Sequence, residues 1–224
     1  LNFNTSKVTD MKSMFRHAES FNQSLNFNTS KVTNMSRMFR HAESFNQSLN
    51  FNTENVTDMS DMFDSCDSFN KSLNFTSTEN VTDMSGMFRK AKSFNQPLNF
   101  NTENVVNMSF MFAGTQSFNQ PLNFNTEKVS NMACMFSRVW SFNQPLNFDT
   151  KNVTNMEGIF YDAQSFNERL NFTSTENVTN MNYMFYYAKS FNQTLNFNTE
   201  KVTDMEWMFA NCPISEENKC SSLS

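Results

Sequence analysis

His17 and His41 are the two histidines of a 224-residue chain, and both stand in the same string, MFRHAESFN, 24 residues apart. Two imidazoles held side by side are candidate metal ligands. The acids Glu19, Glu43 and Asp67 recur at the same spacing, and a column of carboxylates could collect calcium. Seventeen methionines could in principle serve copper. Each pattern also has a plainer cause. The two histidines come from near-identical stretches, so copying alone explains the pairing, and the acids lack the clustered loop ligands of a dedicated calcium site. No Ser-His-Asp or Cys-His arrangement, Gly-rich phosphate loop or isolated acid pair stands out. The expectation is therefore no catalytic residue, no metal, no cofactor and no enzyme.

The element that positions all these residues is a repeat. Leu-Asn-Phe recurs at Leu1, Leu25, Leu49, Leu73, Leu98, Leu122, Leu146, Leu170 and Leu195. Units are 24 residues long, and the two of 25 carry the same insertion, LNFTSTENVT, at Leu73 and Leu170. Nine copies of so short a unit predict a repeat solenoid over 1–212, followed by a C-terminal cap or tail over 213–224.

Within a unit, Phe21, Leu25 and Phe27 lie an even number of residues apart, which predicts one face of a strand. Asp or Asn follows at Asp10 and at all eight equivalents, as helix N-caps do. Met11, Met14, Phe15 and Ala18 then fall at i, i+3, i+4 and i+7, which predicts a short capped helix. The expected class is an α/β solenoid whose nine units each contribute a short parallel strand and a short Asp/Asn-capped helix. All 17 Met fall on the two repeat Met positions, with Ile159 in the eighteenth, so they read as core filling. The recurring Asn2, Asn22 and Thr5 positions read as ladders in which amides and hydroxyls bond the next coil. A sugar-binding Asn row and an ice-binding Thr/Asn array are the functional alternatives.

Charge and composition narrow the partners. The net charge of −5 argues against nucleic acid. No apolar run approaches the eighteen or so residues of a membrane helix, so no membrane insertion is expected in this segment. The opening LNFNTSKVTDM has no signal-peptide character. The first unit has no counterpart of the C-terminal tail, and further repeats or another copy are expected at that end.

Specificity should lie where units differ, at their twelfth, thirteenth, sixteenth, seventeenth and nineteenth positions. Every Tyr and Trp is there: Trp140, Tyr161, Tyr183, Tyr186, Tyr187 and Trp207, with the additional Phe110. Exposed aromatic patches mark interaction surfaces, so these seven are the candidate binding residues. Lys12, Arg16, Arg37, Arg40, Arg89 and Lys90 occupy the same positions earlier in the chain, beside acids, and read as a solvated mixed-charge face rather than an anion site. Among the four cysteines, Cys66 and Cys212 replace a small inward residue, Cys134 is outward, and a Cys212–Cys220 disulfide would pin the tail.

The string FNQPLNFNTENV, followed by V-T-[DN]-M-x-x-MF-x-x-A, resembles the tandem repeat of BspA-like leucine-rich-repeat surface proteins. The resemblance covers Leu1 to about Cys212. It implies a right-handed leucine-rich-repeat-like superhelix exposed outside the cell or on its surface, with a role in adhesion or ligand binding. LNF stands where many bacterial members have Trp. The family motif is structural throughout, so it carries no functional residue over. The expected function is a non-catalytic extracellular repeat protein that binds a protein or glycan on a cell surface or matrix through the variable face. The alternative is a structural spacer or filament component assembling end to end.

Overall fold

Positions are counted from the Leu of each Leu-Asn-Phe, with the inserted residue of the two long units left out of the count. The structure, a computed structural model, describes residues 3–220. The first unit's start at Leu1, and the tail beyond Cys220, lie outside the described residues.

Successive units lie on one another as coils in a 24- or 25-residue register. Met11, Ser13, Phe15 and His17 donate their N–H groups to the carbonyls of Asn34, Ser36, Met38 and Arg40 in the next coil, at 2.9, 3.0, 2.8 and 2.8 Å. The intervening Met14, Arg16 and Ala18 donate within the coil to Met11, Ser13 and Phe15. The same alternation repeats up the stack, so this segment is a run of tight turns whose N–H groups bond across coils, three residues back or, at the twelfth residue, to the Asp/Asn side chain two residues before.

This corrects the expected α/β solenoid and its leucine-rich-repeat-like superhelix. The described residues contain one helical element, a three-residue 3₁₀ turn at Glu216–Asn218, and no multi-residue strand. The thirteenth and seventeenth residues of every coil have positive φ, as at Ser13 (58°) and His17 (60°), which no α-helix accommodates. Spacing gives the physical reason. Coils joined by backbone hydrogen bonds sit about 4.8 Å apart, whereas a helix with its side chains is about 10 Å wide. Nine helices cannot stack at half their own width.

The Asp/Asn position still performs its capping chemistry. Asp10 Oδ1 accepts the N–H of Lys12 at 2.8 Å, and Asn34, Asp58 and Asp83 do the same two residues on. The bond closes an Asx turn, not a helix. Isolated parallel bridges join this position through all nine coils, from Asp10↔Asn34 to Asn180↔Asp204.

The expected strand is replaced for a different reason. Asn22 Oδ1 accepts the backbone N–H of Asn46 at 2.9 Å, Asn46 accepts that of Asn70, and the row continues to Asn192 and Ser215. Side-chain amides thus take the N–H groups that a sheet ladder would use. Among the described residues, backbone bridges survive on this side only at Leu49↔Leu73 and Leu146↔Leu170, where each long unit begins.

Packing is columnar. Rings from Phe15 to Phe209 stack one per coil at 5.5–5.8 Å, and a second column runs from Phe21 to Phe191 at 5.8–6.0 Å. Met35, Met38, Val32 and their equivalents in the inner coils are wholly buried beside them, while Met14 of the first coil and Met205 of the last are exposed. Offset rings and flexible thioethers fill such a core without voids. Past Cys212 the chain turns back over the last coil: Ile214 is buried, Asn218 O accepts from Leu195 N at 2.9 Å, and Lys219 Nζ lies 5.5 Å from the Phe209 ring centre.

Candidate functional site

The turns that replace the helix decide where variable side chains point. Left-handed residues sit at positions 13 and 17 of each coil, and these are two of the five variable positions. All three glycines of the chain, Gly86, Gly114 and Gly158, occupy them, and no Val, Ile or Thr does. That restriction follows from the steric cost of a β-branched side chain at positive φ. It is the one sequence signal that distinguishes this turn run from a helix.

Four of the predicted aromatics come together. Tyr161 stacks on Tyr186 at 5.1 Å, Tyr183 meets Tyr186 edge-on at 5.7 Å, and Tyr187 lies against Tyr186 at 4.7 Å. Tyr187 is 39% exposed, and burial among its neighbours raises the Tyr186 hydroxyl above its ordinary pKa. Arg138 caps the cluster, its guanidinium carbon 5.4 Å from the Tyr161 ring centre. A recess of about 350 Å³ between Arg138, Tyr161 and Tyr183 also takes in Cys134, whose thiol burial pushes up to about 11.

Phe110 and Trp140 do not join the tyrosines. They flank a separate groove of about 380 Å³, on the other side of Arg138. It exists because coil five presents Ala113 and Gly114 where its neighbours present Arg89-Lys90 and Ser137-Arg138. Phe110 and Trp140 are 40% and 41% exposed, and the Trp140 indole N–H reaches Asp162 Oδ2 at 3.4 Å. Trp207 stands apart on the last coil, 62% exposed. The sequence pointed to the aromatic walls but not to the small-residue notch between them, nor to Arg138.

The remaining candidates resolve as follows. The His17 and His41 rings are parallel and 4.6 Å apart, and burial, which outweighs the attraction of Asp64, lowers the pKa of His41. No group of three or more His, Cys, Asp or Glu side chains among the described residues could hold a metal. The earlier charged positions form ion pairs across coils, Arg37 with Asp61, Arg40 and Arg89 with Asp64, and Lys92 with Asp67. The sulfurs of the candidate disulfide pair, Cys212 and Cys220, lie 3.5 Å from the carbonyl oxygens of Phe191 and Phe197, each in the preceding stretch of coil. The insertion also opens two polar recesses, at Leu73–Thr78 beside Asn99–Asn101 and at Arg169–Thr175 beside Asn196–Asn198. No described helix is long and apolar enough to cross a membrane.

No curated protein and no solved structure matches the chain. One family model matches it in three overlapping stretches, residues 1–98, 74–148 and 122–221, as expected of a tandem-repeat sequence. The chain belongs to the family described as Mycoplasma protein of unknown function, DUF285.

Proposed function

We propose that this repeat protein is a non-catalytic interaction module that binds a protein or glycan of a cell surface or matrix through its variable face. The observation that carries this reading is the Tyr161–Tyr186–Tyr187 cluster on left-handed and neighbouring positions, where the fold itself asks for no aromatic side chain. Large rings left partly open to water on an otherwise polar surface act as anchors for a partner. The resemblance to BspA-like surface proteins supports an extracellular setting and an adhesive role. The test is binding of the whole chain to an array of matrix proteins and glycans. The wild-type chain is expected to bind at least one, and Tyr187→Ala to weaken that binding by about tenfold, the worth of one anchor residue. An array with no binding, or binding indifferent to Tyr187→Ala, overturns the reading.

A second reading has one observation behind it. Met205, Trp207, Phe209 and Asn211 carry the N–H groups that in other coils bond the next coil, and among the described residues these have no backbone partner. At the other end, the carbonyls of Asp10, Lys12, Met14 and Arg16 are the matching acceptors. These edges fit one more coil each, from further repeats or another copy, as a spacer or filament component would use them.

A further inference from the structure

We infer that the groove between Phe110 and Trp140 is a site for an acidic polysaccharide segment, one bearing carboxylate or sulfate groups. The inference rests on the reading of the variable face as a binding surface and names its ligand class.

Charge is the first argument. Arg89, Lys90, Lys92 and Arg138 line the groove and no carboxylate does, on a chain whose net charge is −5. Two of these cations are already committed: Arg89 to the buried Asp64 at 3.2 Å and Lys92 to Asp67 at 2.6 Å. Among the described residues Lys90 and Arg138 have no carboxylate partner. They stand in the same row, the seventeenth position, with Lys90 one coil before Gly114 and Arg138 one coil after it, available to an anion from the solvent.

The groove floor separates a glycan from a peptide. The N–H groups of Ala113, Gly114, Ser137 and Arg138 are all bonded, to Phe110, Ser137, Cys134 and Tyr161 carbonyls at 3.0, 2.7, 3.1 and 2.7 Å. An extended acidic peptide would find no backbone edge to pair with and would leave its own amides unsatisfied. What the groove does offer is two ring surfaces, two cations without a carboxylate partner among the described residues, and the Gln116 amide and Ser137 hydroxyl. A sugar acid uses all of these: its C–H face lies against the electron-rich ring face, its hydroxyls meet the amide and hydroxyl, and its anionic group meets Lys90 or Arg138.

The experiment uses the full chain carrying Trp207→Phe, so that Trp140 is the remaining tryptophan and reports from the groove wall. Hyaluronate and heparin oligosaccharides supply carboxylate and sulfate. Dextran of equal length and poly-L-glutamate are the comparators. At least one acidic oligosaccharide is expected to shift Trp140 emission, more weakly as salt rises, while dextran leaves it unchanged. Lys90→Gln combined with Arg138→Gln is expected to weaken the response by about tenfold or more, as the loss of two charge-assisted contacts implies. Gly114→Asn, which keeps the left-handed backbone but fills the notch, is expected to abolish it. Should that variant fail to fold, the surface pair Lys90→Gln/Arg138→Gln carries the test alone. Equal binding of poly-L-glutamate, no response to either acidic glycan, or full binding by the double variant overturns the inference. If the glycan response is missing while Tyr187-dependent array binding persists, only this inference fails. A silent array as well removes the reading beneath it.

Discussion

Arg89 and Asp64 form an ion pair between adjacent coils in which the carboxylate is wholly buried, with Arg89 Nη2 3.2 Å from Asp64 Oδ2. From the coil on the other side, Arg40 Nε lies 2.9 Å from the same oxygen, placed as an ion pair without the alignment of a hydrogen bond. The sixteenth position thus reads Arg, Asp, Arg along three coils, and the arginine nearest the groove is tied down by it. Removing the shared carboxylate strands Arg89 and leaves Arg40 only a 4.0 Å approach to Asp61, and both cations are only a fifth to a third exposed. Asp64→Ala should therefore cost about 2 kcal/mol, below the full buried-pair value because both arginines can turn to water. Urea denaturation reads this, and a loss under about 0.5 kcal/mol would mean the pair is energetically idle.

The left-handed positions predict an unusual substitution rule. At Ser13, whose φ is 58°, Asn should be tolerated because its short polar side chain accepts this conformation. Ser13→Val should cost about 1–2 kcal/mol, since its branched Cβ meets the backbone there. In a helix the two variants would differ far less, so equal stability of the pair argues for helical coils after all.

That rule also marks what could be read from the residues. The repeat length, the inward Met and Phe columns and the amide rows were legible because stacking forces identical positions into contact. The tyrosine cluster followed from the same register. A helix and a run of consecutive tight turns both turn Met11, Met14, Phe15 and Ala18 to the same side, so apolar spacing cannot separate them. Confinement of glycine to positions 13 and 17 could have separated them. The strand spacing of Phe21, Leu25 and Phe27 is real, since all three pack on the core, but the N–H groups beside them bond to Asn side chains and no ladder forms. Nothing in local pattern shows the groove, which depends on Ala113 and Gly114 being smaller than the residues of adjacent coils.

The amide row makes a prediction of its own. Asn119 Oδ1 accepts both Asn143 N at 2.9 Å and Gln144 Nε2 at 3.1 Å. Asn119→Ala should cost about 1 kcal/mol and speed hydrogen exchange at the Asn143 amide before that of the Phe columns. Unchanged exchange at Asn143 would show that the row is not what joins the coils there.

His41 gives a pH signature. Burial, together with the positive charge of a protonated His17 and of Arg40, places its pKa below 6.5, against the pull of Asp64 and Glu43. A histidine lowered in the folded state binds its proton more readily unfolded. Its contribution is thus complete above pH 6.5 and is lost as pH falls through the folded pKa. In His17→Phe, which keeps a ring over His41 but removes a charge, the His41 titration followed by NMR should move upward yet stay below 6.5. An unmoved titration would show that the stacked pair is not electrostatically coupled.

The most direct measurement compares two kinds of exposed position on the strongest ligand the array yields. Dissociation constants would be taken for Tyr161→Ala, Tyr187→Ala and Asn123→Ser, the last belonging to the repeating Asn row and exposed to solvent. The expected result is a loss of about tenfold or more at each tyrosine and no change at Asn123. Equal losses at all three, or normal binding by both tyrosine variants, would contradict a binding surface built from the variable positions.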